Sequence, residues 1–215
     1  MLRLNNTFAT LALLATLAPA TALAEAGPRE VKLETNHIHN SGDSWSMFGA
    51  YTDGLNTQGI GYAQDLDSKL SVVASYHFGQ SGSEHYIPSG AGTNEGFIAA
   101  FTAHQLSAGV RTDLDKALLG WFEPYGSVRA TLLVGVVQLD DDPEQDDNPN
   151  QIQAVSYAPG ARVAAGLSSS MPLGPVEARI DGEVGYAYSL KMSAGELGEL
   201  QFSGIHALLG IGVRF

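Results

Sequence analysis

The chain contains no cysteine. Disulfide bonds therefore cannot stabilise the fold, and no cysteine is present to carry a lipid anchor. Basic residues are also few, with 11 Lys and Arg against 23 Asp and Glu and a formal net charge of −12. Nucleic-acid-binding proteins carry basic surfaces, so this charge argues against a nucleic-acid partner.

Long apolar runs are missing after the first 24 residues. A helix that crosses a bilayer needs roughly 18 or more consecutive apolar residues, and no later segment approaches that length. The same region shows no segment of helical period. If this part of the chain spans a membrane, it must do so as a closed barrel of strands.

Residues 1–24 have the pattern of a cleaved secretory signal peptide. Arg3 supplies the basic start, an apolar stretch follows, and Ala22, Leu23 and Ala24 form a small-residue cleavage site. A membrane anchor is the alternative, but Pro19 interrupts the stretch and no cluster of basic charges follows it. We expect residues 25–43 to form a periplasmic lead-in, with a stray strand at residues 31–38 as an alternative, and residues 44–215 to form a single domain.

Apolar residues alternate with other residues through most of the mature chain. The pattern is clearest at the C-terminus, where Ile205, Ala207, Leu209, Ile211 and Val213 occupy every second position before the terminal phenylalanine. A period of two indicates strands with one apolar face. Eight such segments are predicted, beginning near residues 44, 57, 69, 95, 122, 156, 176 and 205.

The fourth predicted strand changes phase. Phe97, Ala99 and Phe101 are in one phase, whereas Leu106 and Ala108 are in the other. A β-bulge near residue 104 would reconcile them. Short turns alternate with longer polar loops, apart from a short first loop at residues 53–56. This pattern predicts an all-β, up-and-down antiparallel barrel of eight strands that spans a membrane, rather than a soluble sandwich.

The last residues carry a resemblance to a known family. Gly210, Val213 and the terminal Phe215 resemble the C-terminal signal of Gram-negative outer-membrane barrels, although Leu208 stands where that signal has a polar residue. The whole mature chain resembles the small eight-stranded barrels of the OmpA transmembrane-domain, OmpX and OmpW type. The resemblance implies an outer-membrane location, contact with outer-membrane lipids and lipopolysaccharide, and recognition by the barrel-insertion machinery.

Charged residues fall on the face opposite the oily one. In an eight-stranded barrel that face lines a narrow interior, which side chains can fill. We expect an ion-pair network that plugs the interior, with a gate or a cation pathway as the alternative. Its predicted members are Asp65, Lys69, Arg129, Arg162, Glu177, Arg179, Asp181, Glu183 and Arg214.

An acidic loop is the strongest candidate for metal binding. Clustered carboxylates attract hard cations, although the loop lacks the glycine and the terminal glutamate of an EF-hand. We expect at most weak divalent binding, and the alternative is a solvated charged loop. The candidate ligands are Asp140, Asp141, Asp142, Glu144, Asp146 and Asp147. His37 and His39 alone supply too few ligands for a stable zinc site.

Catalytic signatures are weak. The six histidines (residues 37, 39, 77, 85, 104 and 206) are candidate bases, but no Gly-x-Ser-x-Gly motif accompanies them. We expect a non-enzymatic protein without a cofactor, with a structural or surface-interaction role such as envelope integrity or adhesion. Passage of small or hydrophobic solutes, as in the OmpW type, and lipid A modification are the alternatives.

Overall fold

The computed structural model describes residues 27–39, 54–88, 94–114, 121–140, 151–193 and 199–215. The strands within these ranges are β1 (Arg29–His39), β2 (Gly54–Asp65), β3 (Leu70–Pro88), β4 (Asn94–Asp113), β5 (Glu123–Asp140), β6 (Gln151–Leu173), β7 (Val176–Ser189), β8 (Met192–Ser193), β9 (Glu199–Leu200) and β10 (Gly204–Arg214). No helix in these ranges is long and apolar enough to cross a membrane.

Eight of the strands form one closed barrel in the order β1-β10-β7-β6-β5-β4-β3-β2, and β8 pairs with β9 separately. Every neighbouring pair in the barrel is antiparallel. The seam joins the first and last strands of the barrel, since Arg29 and Phe215 exchange backbone hydrogen bonds of 2.9 and 2.8 Å. The predicted fold class, an eight-stranded antiparallel barrel, is confirmed.

The strands are staggered around the barrel. A path through paired residues that starts at Pro28 returns to β1 at Ile38, ten residues further along the strand. The path runs through Asp65, Ser71, Arg111, Ser127, Ala164, Gly185 and His206. A stagger of this kind requires strands that tilt from the barrel axis, typically by about 35–45°.

Burial follows the period of two on every barrel strand, and its sense is opposite to that of a soluble protein. Large apolar side chains face outward, as at Leu33 (70% exposed) and Ile211 (60% exposed), whereas Arg162 and His206 face inward with 1% and 0% exposed. This inverted polarity is the arrangement of a barrel whose outer wall contacts lipid.

The position of the first strand differs from the one predicted from the sequence. Residues 25–43 were expected to be a lead-in, yet Arg29–His39 is strand β1 and pairs with both β2 and β10. The physical reason is its own alternation, which places Glu30, Lys32 and Glu34 inside and Val31 and Leu33 outside. The strand expected from residue 44 lies outside the described residues.

The bulge expected near residue 104 is also wrong. β4 keeps an unbroken register with both neighbours, and Phe101 therefore points inward, where it is fully buried. An aromatic ring is tolerated inside because the Phe202 ring and Gly135 surround it with apolar contacts and free space. The register shifts instead between β5 and β6, at Val137 and Gln138.

The β2–β3 and β6–β7 turns are short. Asp67 organises the β2–β3 turn, because its Oδ1 accepts hydrogen bonds from the backbone N–H groups of Lys69 (2.7 Å) and Leu70 (2.8 Å). These bonds hold the pKa of the Asp67 carboxyl below its ordinary value. Gly174 forms the β6–β7 turn with a φ of 69°, a conformation that glycine adopts without steric cost.

We expect proline at position 31 to prevent barrel closure. Val31 pairs with Tyr62 on one side and Val213 on the other, so Val31→Pro removes a ladder hydrogen bond from a strand paired on both edges and leaves a buried backbone acceptor unpaired, at a cost of about 1–3 kcal/mol. Folded barrels migrate differently on gels before and after boiling, and the variant should lose this difference. Val31→Leu, the control, should keep it. Normal folding of Val31→Pro would contradict a first strand at this position.

Asp67→Asn should destabilise the barrel in a pH-dependent way. A carboxyl whose pKa is lowered by folding contributes stability that is fully present above its unfolded pKa of about 3.9 and is lost as pH falls through the lower folded pKa. Urea unfolding should therefore show a less stable variant near neutral pH and a smaller difference below about pH 3. A difference that stays constant with pH would contradict this role of the carboxylate.

Candidate functional site

The interior near the two chain termini is organised around one carboxylate. Asp181 extends inward from β7, and its side chain is 1% exposed. Three cations from three different strands surround it: Lys32 Nζ at 2.9 Å, Arg111 Nη1 at 3.0 Å and Arg179 Nε at 3.4 Å. Because so many opposite charges are close, the carboxylate remains compensated although it lies away from water.

Other groups hold these cations in place. Arg111 and Arg179 donate hydrogen bonds of 3.0 and 2.9 Å to the hydroxyl of Ser168. The Arg111 guanidinium also lies 3.7 Å from the centre of the Tyr125 ring. That ring fits because residue 166 is glycine, where a Cβ would lie 2.3 Å from the tyrosine Cζ. Each guanidinium therefore has contacts beyond its ion pair.

A second carboxylate centre lies on the same strand, one inward position further along. Glu183 Oε2 accepts hydrogen bonds of 2.9 Å from Arg129 and 3.0 Å from the Ser127 hydroxyl. Its Oε1 faces Arg162 Nε at 3.7 Å and His206 Nε2 at 3.5 Å. These two contacts are longer than hydrogen bonds, so on this side of the centre Glu183 is attracted over distance by the Arg162 charge.

Strand β1 contributes two further carboxylates. Glu34 Oε2 lies 3.0 Å from His77 Nε2, and Glu34 Oε1 lies 3.7 Å from Lys32. Glu30 lies 3.8 Å from both Lys32 and Arg179. Lys32 therefore connects both β1 carboxylates to Asp181. We call this cluster and the Glu183 centre together the lumen ion network.

The lumen ion network nearly balances its charges. Its buried cations are Lys32, Arg111, Arg129, Arg162 and Arg179, and its buried carboxylates are Glu30, Glu34, Asp181 and Glu183. Arg111 also bonds at 2.8 Å to Asp113, which is partly exposed at the rim. Such a set is compatible with a stable interior, because a large excess of one sign would repel itself.

Apolar side chains close the other end of the interior. The rings of Phe101 and Phe202 stack with centroids 5.1 Å apart and planes at 18°. Gly135 leaves space for this packing, since a Cβ there would lie 2.5 Å from Met192 Cε and 2.7 Å from the Phe101 ring. We call this layer the apolar plug; Leu55, Leu133, Ala158 and Met192 are also buried in it.

The structure places most of the predicted interior residues inside the barrel. Arg129, Arg162, Arg179, Asp181 and Glu183 belong to the lumen ion network. The remaining four predicted residues, Asp65, Lys69, Glu177 and Arg214, lie at the end of the barrel where Arg29 pairs with Phe215.

Three of these residues form a smaller group at the end of the barrel where Arg29 pairs with Phe215. Arg214 Nη2 forms an ion pair with Asp65, and its Nη1 lies 3.5 Å from Glu177. Lys69 was expected inside, and this is wrong. It is exposed in the β2–β3 turn, because the chain has already left the barrel wall at residue 66.

Sequence reasoning missed part of the network. Glu30, Lys32 and Glu34 were hidden by the assignment of β1 to a lead-in, although their alternation with apolar residues was a usable signal. Arg111 was also overlooked, although the outward phase of Leu106 and Ala108 already places residue 111 on the inward face. In the structure Arg111 faces inward, next to Asp181.

Other predicted positions have separate outcomes. Val213 and Phe215 face outward at the seam, whereas Gly210 faces inward beside Lys32. Residues 141–150 of the acidic loop, and the side chain of Asp140, lie outside what the structure describes. Within the described ranges, no three His, Asp or Glu side chains are arranged to hold a metal ion.

Comparison with known proteins relates the fold to membrane barrels. No protein-family model and no curated protein sequence matches the chain. Neisserial surface protein A is 16% identical, with a TM-score of 0.51, and the match covers 87% of this chain and 97% of that chain. OprG of Pseudomonas aeruginosa is 11% identical (TM-score 0.48; 88% and 96% covered), and Ail of Yersinia pestis is 14% identical (TM-score 0.44; 88% and 99% covered).

The first of these likenesses supports the fold alone. Combined with the apolar outer wall and the charged interior, the fold makes the chain a membrane-spanning β-barrel of the outer-membrane type.

Removal of the Asp181 charge should destabilise the barrel strongly. Asp181→Asn leaves Lys32, Arg111 and Arg179 without their shared carboxylate, and breaking a buried ion pair typically costs about 3–5 kcal/mol. The control is Glu177→Gln at the rim, where the side chain is 45% exposed and the loss should be at most about 1 kcal/mol. Urea unfolding from lipid vesicles measures both. Equal losses would contradict a central role for Asp181.

Proposed function

We propose that the protein is a structural, non-catalytic component of the outer membrane of a Gram-negative bacterium, and that its external loops interact with the surroundings. The observation that carries this proposal is the filled interior. The lumen ion network occupies the end near the termini and the middle, and the apolar plug closes the other end.

The lumen ion network and the apolar plug oppose the passage of ions for different reasons. The charged side chains of the network are bonded to one another, so a permeating ion would have to displace contacts such as the 2.9 Å bond between Arg129 and Glu183. The plug presents the apolar rings of Phe101 and Phe202 to a hydrated ion. A barrel interior that is filled at two levels favours a structural role in the outer membrane over a role as a pore.

The segment after β7 supports the external seal. Met192 in β8 is buried, and Phe202 is anchored because its backbone N–H donates a 3.0 Å hydrogen bond to the hydroxyl of Ser189. The Gln201 amide donates a 2.8 Å bond to the Ser189 carbonyl. The connection between β7 and β10 is therefore tied to the barrel mouth on both sides of residues 194–198.

Lipid A modification is less compatible with this arrangement. His77 and His206 are buried inside the barrel with 0% exposure, so neither imidazole meets a lipid on the outer wall. Both face carboxylates of the lumen ion network, at 3.0 Å and 3.5 Å. Their contacts are those of structural members of that network.

We further propose that the seam at Phe215 is where the barrel-insertion machinery engages the chain. Phe215 and Val213 face outward with 59% and 42% exposed, and the terminal residue is already bonded to Arg29. An outward aromatic side chain at the closing strand is accessible while the seam is still open.

Purified protein in planar bilayers should give no steady conductance of porin size. A variant with Phe101→Ala and Met192→Ala should also stay closed, because the lumen ion network remains beneath the removed plug. A strain lacking the gene should become more permeable to hydrophobic dyes and detergents, and the double variant should restore its barrier. Large steady channels from the unmodified protein would support passage of solutes instead.

A further inference from the structure

A groove lies on the outer wall where β10, β1 and β2 meet. It has a volume of about 610 Å³, which is within the roughly 300–1,000 Å³ typical of small-molecule sites. Apolar side chains form much of it: Leu33, Ile60, Leu209 and Ile211. Because these side chains face the lipid, the groove is open to an acyl chain.

The side of the groove further from the termini is polar. Thr35 and Gln58 line it directly, and both are exposed on the outer wall. Next to them on the same face, His37 Nδ1 is hydrogen-bonded to Asn56 Oδ1 at 2.7 Å. Nearby on β3 and β4, the Tyr76 hydroxyl is hydrogen-bonded to His104 Nδ1 at 2.8 Å. We call these six side chains the polar rim.

The polar rim is a local exception on the wall. On β5, every second residue from Val128 to Val136 is apolar and faces outward, and on β7 the outward positions from Val176 to Val184 are aliphatic or glycine, followed by Tyr186 and Tyr188. Polar side chains that face lipid are costly unless something polar covers them. The wall at β1 and β2 therefore differs chemically from the opposite wall.

The polar rim lies among the lipid-facing apolar side chains of the outer wall, not beyond their edge. In the register of the sheet, Thr35 is opposite Leu209 and Gln58 is opposite Phe78, and both partners are exposed apolar residues. Ile205, which is 59% exposed, lies still further from the termini on the adjacent strand β10. The polar groups are thus bordered by lipid-facing side chains.

We propose that the groove binds a glycolipid, with one acyl chain against Leu33, Ile60, Leu209 and Ile211 and a hydroxyl-rich sugar headgroup against the polar rim. The chemistry of the rim selects the headgroup. Its hydroxyls, amides and imidazoles both donate and accept hydrogen bonds, as sugar hydroxyls do. None of the six rim residues is Lys or Arg, the usual partners of a phosphate group.

The glycolipid would cover a surface that lipid tails alone leave unsatisfied. An acyl chain buries the apolar part of the groove, and the sugar supplies hydrogen bonds to Thr35, Gln58 and Asn56, which face outward. This proposal does not depend on the role of the interior, because every group that it uses lies on the outer wall.

The test measures the affinity of single lipids for the folded barrel by native mass spectrometry, in a detergent with an oligoethylene glycol headgroup. The probes are glucosyl-diacylglycerol and phosphatidylglycerol with identical acyl chains. We expect about tenfold tighter binding of the glucosyl lipid, as about two additional hydrogen bonds would give. Equal or tighter binding of phosphatidylglycerol would overturn the headgroup assignment.

Two matched pairs of variants locate the site. Leu33→Trp fills the groove and should abolish the preference, whereas Leu167→Trp places the same bulk on β6 and should not. Asn56→Leu with Gln58→Leu should weaken binding of the glucosyl lipid about tenfold, and Thr112→Leu, an outward substitution at the other end of the wall, should leave it unchanged.

All variants must first show the gel mobility of a folded barrel. Because the substituted side chains face lipid rather than the interior, we expect them to fold. Undiminished binding by the folded Leu33→Trp variant would overturn the groove as the site, and undiminished binding by the Asn56 and Gln58 variant would overturn the rim.

Discussion

The closure of the hydrogen-bond ladder between β1 and β10 is the constraint on which the rest of the structure depends. Lipid tails offer no partner to a backbone N–H or C=O, so a sheet in a membrane must leave no free edge. Here the closing strands are the first and last of the barrel, and nine register pairs join them from Glu30 to Ile38. Without this seam, the outer edges of both strands would be unpaired in the hydrocarbon.

Closure also dictates what the interior must contain. Eight strands enclose a space that side chains can fill, and the period of two sends half of each strand into it. Since the outward side chains must be apolar to contact lipid, the charged and polar side chains of the strands accumulate inside the barrel. Asp181 and Glu183 follow one another on the inward face of β7, and cations from β1, β4 and β5 reach them. The lumen ion network is thus a consequence of the inverted polarity as well as a source of cohesion.

Much of this could be predicted from the sequence, because a period of two is local. The inward positions of Arg162, Arg179 and Asp181 follow from alternation along one strand at a time. The identity of the first strand was harder, since the polar sequence of β1 resembles a linker until its pairing with β10 is known. The orientation of Phe101 was predicted wrongly for a related reason, because an aromatic residue suggests the lipid face. Only its packing against Phe202 and Gly135 shows that the ring fits in the interior. Which cation reaches which carboxylate depends on the stagger between strands, and alternation carries no information about that.

The stagger explains why the interior has two chemically different parts. Because strands are tilted and the path around the barrel climbs ten residues per circuit, residues far apart in sequence share one level of the interior. Lys32, Arg111 and Asp181 meet in this way near the end that carries the termini, and Phe101, Met192 and Phe202 meet at the opposite end. Charged groups tolerate burial only in the company of opposite charges, and aromatic rings pack best with one another. A charge inserted at the level of Phe101 would have no counter-ion among these apolar neighbours, so the separation of the two layers is itself required for a stable closed interior.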